Sequence, residues 1–135
     1  MAYIWDPALS TGIAIIDEQH KQLFDALNNI ATAFVEGKGH DELLKTLDFL
    51  KNYTIKHFSD EEELQQKNNY PDYSSHKQLH DGFTATIEQI RQRLIKEGPS
   101  ESLVVTLTTT VGNWLMHHIR VVDIQMATYI KKTAG

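Results

Sequence analysis

Three stretches of the chain repeat their core-type residues at alternating gaps of three and four, and histidines interrupt the repeat at its ends. In the first, His20, Leu23, Leu27, Ile30 and Phe34 follow the pattern behind Asp17, a good N-cap residue. The second begins at Asp41, another N-cap, and gives Leu43, Leu47, Leu50, Thr54, His57, Glu61 and Leu64. The third gives His76, His80, Phe83, Ile87, Ile90 and Leu94. This spacing is the seam of a left-handed helical bundle, so the polar residues set into it are predicted to face a shared core.

A fourth stretch is less regular. Leu103 to Val111 is rich in valine and threonine, which taken alone favours a strand. It is predicted to be helix because Ser100 caps well, Trp114 to Ile130 is helix-periodic, and a lone strand has no partner in the chain. Breakers fall at Gly37 and Gly39, at Asn68 to Asp72, and at Gly98 to Ser100. Short connections between long helices imply antiparallel neighbours. The prediction is all-α: one domain, residues 1–135, an up-down-up-down four-helix bundle with an N-terminal arm over 1–16. The helices are expected at about 17–37, 41–66, 73–97 and 100–132.

A core of this size needs no staple, and the absence of cysteine excludes disulfides, thiolate zinc sites, cysteine-ligated clusters and a cysteine nucleophile. A net charge of −5 argues against nucleic acid or an anionic membrane as partner. The N-terminus has no basic region followed by an apolar stretch, and no apolar run approaches a membrane span. The expectation is a soluble cytoplasmic protein.

Depth along the bundle brings the polar residues together. His20 falls in the first turn of the first helix, and His57 and Glu61 in the last turns of the second. His76 and His80 open the third, and His118 and Asp123 lie in the second half of the fourth. In antiparallel order these positions share one end of the bundle. Buried carboxylates and imidazoles without partners cost several kcal/mol each. A dication removes that objection, because it binds neutral imidazole and carboxylate and supplies the missing charge. His57/Glu61 and His76/His80 are i, i+4 pairs, about 40° apart on a helix, so each pair can grip one centre. His20, His57, Glu61, His76, His80, His118 and Asp123 are the candidate metal ligands. His40 is predicted to be solvated in the Gly-rich turn, and His117 to point away from the core.

The fourth helix carries a phase problem. Its seam runs Leu107, Val111, Trp114, His118, yet the better core residues beyond are Asp123, Met126 and Ile130. On a regular helix His118 and Asp123 stand about 140° apart. A one-residue π-bulge between them, a feature common at functional sites, would return both to the core face.

The strings D-E-Q-H-K-Q-L-F at 17–24, H-F-S-D-E at 57–61, Y-P at 70–71, H-K-Q-L-H at 76–80 and W-L-M-H-H-I-R-V-V-D at 114–123 resemble the signatures of the hemerythrin family. The arm, with Trp5 and Ser10-Thr11-Gly12-Ile13, is similar to that of its single-domain bacterial members. The resemblance spans essentially the whole chain, with no ligand position substituted. It implies a non-haem centre of two iron ions per chain, joined by an oxo or hydroxo bridge, with dioxygen as ligand. His76, His80 and His118 would hold one iron and His20 and His57 the other, with Glu61 and Asp123 bridging. The family pattern, a histidine before Ile and five residues before Asp, selects His118 over His117. The family also includes domains fused to signalling modules, an extension not expected here.

On that assignment the three-histidine iron is six-coordinate and closed, and its neighbour has five ligands and one open position. A single opening suits a small diatomic molecule and leaves no room for a second substrate. The expected function is reversible dioxygen binding, for carriage, storage, delivery or sensing, with no catalytic residue. An oxygen-using enzyme would be the recipient if the oxygen is delivered. Di-iron oxidase or peroxidase activity is the competing class, but the bundle oxidases use paired Glu-x-x-His motifs that this chain lacks. Nitric oxide binding or scavenging is a further alternative, and a dinuclear zinc hydrolase a remote one. The candidate oxygen pocket is Leu23, Phe24, Phe58, Trp114, Leu115 and Ile119, with Phe24 and Trp114 equally readable as ordinary core.

Overall fold

Polar connections end each helix and turn the chain back on itself. Gly98 takes φ 78, the left-handed conformation that a glycine adopts at no steric cost, and its N–H donates to Leu94 O. Two residues later Ser100 Oγ accepts from Leu103 N at 3.1 Å and starts the next helix, as its sequence position predicts. The computed structural model describes residues 3–134. A short 3₁₀ turn at Pro7–Leu9 precedes α1 (Ala14–Val35), α2 (His40–Lys67), α3 (Tyr73–Glu97) and α4 (Glu101–His117). α4 continues through a π-helical turn, His118–Asp123, into α5 (Ile124–Ala134), so these three make one long fourth rod. α1 packs on α2 and α4, and α3 on α2 and α4, the cyclic order of an up-down-up-down four-helix bundle. Among the described residues no helix is long and apolar enough to cross a membrane.

The three–four seams form the core. Every apolar seam residue of the first three helices is buried except Phe34 and Leu64, which are half-buried. Phe34 lies in the last turn of α1, at the rim. At the end of α2 the inward position passes from Leu64 to Gln65, which is fully buried. The valine- and threonine-rich stretch is helical, with Leu103, Val104, Leu107 and Val111 buried. Thr108 Oγ1 donates back to Val104 O at 3.0 Å, so its hydroxyl is satisfied within the helix.

Three local expectations are corrected. α1 starts at Ala14, so the arm ends at residue 13 rather than 16, and Asp17 is not the N-cap. Asp17 instead accepts from Thr11 N at 2.8 Å, Thr11 Oγ1 at 2.7 Å and Ser10 Oγ at 2.6 Å, folding the arm onto the first turn. α2 starts at His40 behind Gly39, whose carbonyl accepts from Leu43 N at 3.0 Å, and Asp41 lies inside the first turn. There its negative charge favours the helix N-terminus without capping it. His40 is not simply solvated: it is half-buried, with Nε2 3.0 Å from Leu94 O, and ties the start of α2 to the end of α3.

The predicted π-bulge is present. The Ile124 N–H donates to Ile119 O, five residues back, and the wider turn leaves His118 and Asp123 both buried.

Tyr3 is anchored by reciprocal bonds to Asn28, of 3.0 Å and 2.7 Å, and its ring lies against the bare Cα of Gly112. A Cβ on Gly112 would overlap that ring. Alanine is the better helix former by about 1 kcal/mol, while overpacking costs about 1–3 kcal/mol. Gly112→Ala should therefore destabilise the wild-type chain in urea unfolding and stabilise a Tyr3→Ala chain. The same sign in both backgrounds would mean the arm does not press on α4.

Candidate metal centre

All seven candidate ligands are buried, none more than 3% exposed. They form two groups: Glu61, His76, His80, His118 and Asp123, and His20, His57, Glu61 and Asp123. Within each group the ligand atoms lie within 4.8 Å of one another, and the groups share both carboxylates. The sharing is divided by oxygen. Glu61 Oε1 stands 2.9 Å from His76 Nε2 and 3.2 Å from His80 Nε2, while Oε2 stands 3.2 Å from His57 Nε2. Asp123 Oδ1 is 3.1 Å from both His76 Nε2 and His118 Nε2, while Oδ2 is 3.0 Å from His20 Nε2. Each carboxylate thus turns one oxygen toward either group.

These contacts are short but not aligned as hydrogen bonds. Both oxygens of Glu61, both of Asp123 and the Nε2 of His20 are buried without a hydrogen-bond partner. His118 Nε2 lies 3.1 Å from His76 Nε2 and 3.2 Å from His80 Nε2, three imidazole nitrogens facing one another. Lone pairs converge where only a cation makes the convergence favourable, and orphaned buried acceptors are what such a cation would satisfy. Neutral imidazole and carboxylate are suitable donors for iron. The residues fit two ions, one per group.

The electrostatics of the bare cluster follow its packing. Burial, and the charge of Asp123, push the Glu61 carboxyl up, but His57 and His76 close around it and hold it well below the usual range. Burial likewise acts to raise Asp123, and the charge and contacts of His118 with those of His20 and His76 outweigh it. For His76, burial opposes protonation, yet contact with Asp123 and Glu61 raises its pKa to about 9. His118 goes the other way, pushed down by burial.

Sequence reasoning missed the residues that hold the imidazoles from behind. His57 Nδ1 lies 2.7 Å from Gln19 Oε1, and Gln19 Nε2 donates to Asp60 at 2.8 Å. His80 Nδ1 lies 2.8 Å from Glu62 Oε2, and His76 Nδ1 lies 3.1 Å from the Gln65 amide. Gln65 had a signal, since it stands four residues after Glu61 on the same helical face. Gln19 and Glu62 merely adjoin His20 and Glu61 in sequence, and nothing in the periodicity marks them.

Two of the three aromatic candidates, Phe58 and Trp114, lie on the three-histidine side. Phe58 stacks on His80 with centroids 3.7 Å apart and planes at 2°, and Trp114 stacks on His118 at 4.2 Å and 13°. Phe83 backs Trp114 at 3.9 Å. Leu23, Phe24, Leu115 and Ile119 are buried in the main apolar cluster. His117 is exposed and enters neither group, as its position beside His118 predicts.

Two imidazole-rich groups sharing a pair of carboxylates inside a four-helix bundle define a dinuclear metal-binding class of protein. The Hemerythrin HHE cation binding domain profile matches residues 11–130. A bacteriohemerythrin of Methylococcus capsulatus is 34% identical over 88% of this chain and 89% of its own length. One of Pseudomonas aeruginosa is 32% identical over 87% of this chain and 74% of its own length. A crystal structure of wild-type hemerythrin superposes with a TM-score of 0.83, at 29% identity, covering 93% of this chain and 95% of that one. The chain belongs to the hemerythrin family. Members of that family are non-haem di-iron proteins that bind dioxygen, and this chain is one of them.

Because the ligands form no site in the unfolded chain, bound metal should add to folding stability. At free metal a thousandfold above Kd the gain is about 4 kcal/mol. Chelation should lower the Tm of the iron-loaded protein, and ferrous iron should restore it. An unchanged Tm after complete iron removal would show that these side chains are stable without an ion.

Proposed function

We propose that this chain binds dioxygen reversibly, one molecule per iron pair, without turning over a substrate. The observation that carries the reading is the unequal division of histidines, three in one group and two in the other, across two shared carboxylates. In this reading His76, His80 and His118 saturate one iron position. His20 and His57 hold the other and leave it one coordination site short, while Glu61 and Asp123 span the two. Iron bound there supplies reversible electron exchange with a small diatomic ligand at the open site.

The remaining residues act on that ligand's surroundings. Leu23, Leu115 and Ile119, each at most 2% exposed, would wall the open side against water and anions. Phe58 and Trp114 fix the ring planes of His80 and His118, which supports a structural role on the closed side more than a place in the pocket. No side chain in either group stands free as a general base, because both carboxylates are engaged between the groups; this supports a carrier over an enzyme. The acidic balance of the chain argues against nucleic acid or an anionic membrane as partner.

The deciding measurement is repeated oxygenation and deoxygenation by absorption spectroscopy, with hydrogen peroxide release followed in parallel. The expected outcome is a nearly colourless reduced form, a coloured oxygenated form, and return of the first spectrum when oxygen is removed. His57→Ala should abolish the coloured form, and His117→Ala should leave it nearly intact. Irreversible oxidation on first exposure, with peroxide or water formed in step with oxygen consumed, would mean an oxidase.

Truncating Leu115 tests the wall. Leu115→Ala should speed autoxidation while the iron content stays at two per chain, alongside a cavity cost of about 2–5 kcal/mol. An unaltered autoxidation rate in the loaded variant would place the wall elsewhere.

A further inference from the structure

Glu62 belongs to neither group, yet it is the only carboxylate among the described residues to reach the remote nitrogen of a clustered histidine. Its Oε2 lies 2.8 Å from His80 Nδ1, and no other cationic group lies within 4.0 Å of it among those residues. The nearby Lys77 is paired instead with Asp81 at 3.1 Å. Phe58, stacked flat on the His80 ring, prevents the imidazole from turning away from this contact. Among the described residues no other remote nitrogen meets a carboxylate. His76 and His57 face the neutral amides of Gln65 and Gln19, and His20 Nδ1 is buried with none.

A carboxylate accepting the Nδ1 proton of a ligating imidazole fixes its tautomer and raises the donor strength of Nε2. A neutral amide oxygen such as Gln19 Oε1 fixes the tautomer but adds no charge. Among the described residues the only carboxylate in direct contact with such a nitrogen therefore falls on the three-histidine group, while Asp60 reaches His57 only through Gln19. We propose that Glu62 is a positioning residue that, acting through His80, makes the three-histidine position the tighter of the two metal positions. This rests on the di-iron reading above.

A merely structural Glu62 would satisfy His80 and hold α2 against α3; its loss would loosen both ions alike or neither. The test uses the full iron-loaded chain, reduced under nitrogen, as wild type, Glu62→Gln and Glu62→Ala. Each is challenged with graded amounts of a ferrous chelator while released iron and the Mössbauer spectrum are followed. In the wild type one ion should leave well before the other. Glu62→Gln keeps an acceptor but removes the charge, and should loosen the late-leaving ion roughly tenfold. Glu62→Ala removes both and should loosen it by up to roughly a hundredfold. In both variants the early-leaving ion should be unchanged, and only the late-leaving ion's Mössbauer doublet should move. Equal loosening of both ions, loosening of neither, or a shift confined to the early-leaving ion's doublet overturns the proposal. A wild-type chain that never holds two irons removes the functional reading and the proposal with it, and is distinguished by its iron content alone.

Discussion

Five imidazoles and two carboxylates occupy one end of the bundle interior, buried away from bulk solvent. Each would cost several kcal/mol if left unpaired, and the carboxylates and imidazoles cannot all satisfy one another because their nitrogens and oxygens aim at common points rather than at each other. Positive charge between them makes the arrangement favourable. The rest of the structure serves that constraint. Four rods are needed because no single helix can turn more than one or two such side chains toward one point. The apolar seams below the cluster, from Leu23 to Leu94, supply the burial that holds the rods in register.

The fourth rod shows how closely backbone geometry is subordinated to the cluster. A regular helix would carry Asp123 about 140° from His118 and out of the core. The wider π turn at His118–Asp123 brings it back, and Met126 and Ile130 then resume inward packing in α5. The local sacrifice of an ideal ladder is offset by two residues entering the centre from one helix. The phase slip in the apolar pattern is the trace this geometry leaves in the sequence.

Beyond the clustered atoms, the support is asymmetric. Aromatic rings clamp His80 and His118, and Glu62 adds charge behind His80, whereas His57 rests on a neutral amide and His20 on none. The group with more imidazoles thus also has more contacts behind its rings. Under the proposed function, that suits a division of labour in which one position is closed and the other accessible to a ligand.

The number of helices, their approximate limits and the seven clustered residues were legible in the sequence, because helical periodicity is a local property and buried histidines disturb it visibly. The π turn was legible for the same reason. Helix starts were misjudged at Asp17 and Asp41, since a carboxylate that folds an arm back or sits in a first turn looks the same in sequence as one that caps. The tether from His40 to Leu94, the Gln19, Glu62 and Gln65 contacts, and the assignment of each carboxylate oxygen to one group depended on tertiary structure. Those features join residues far apart in the chain or choose among neighbours on one helix. Only the packing of four rods decides which polar atom meets which nitrogen.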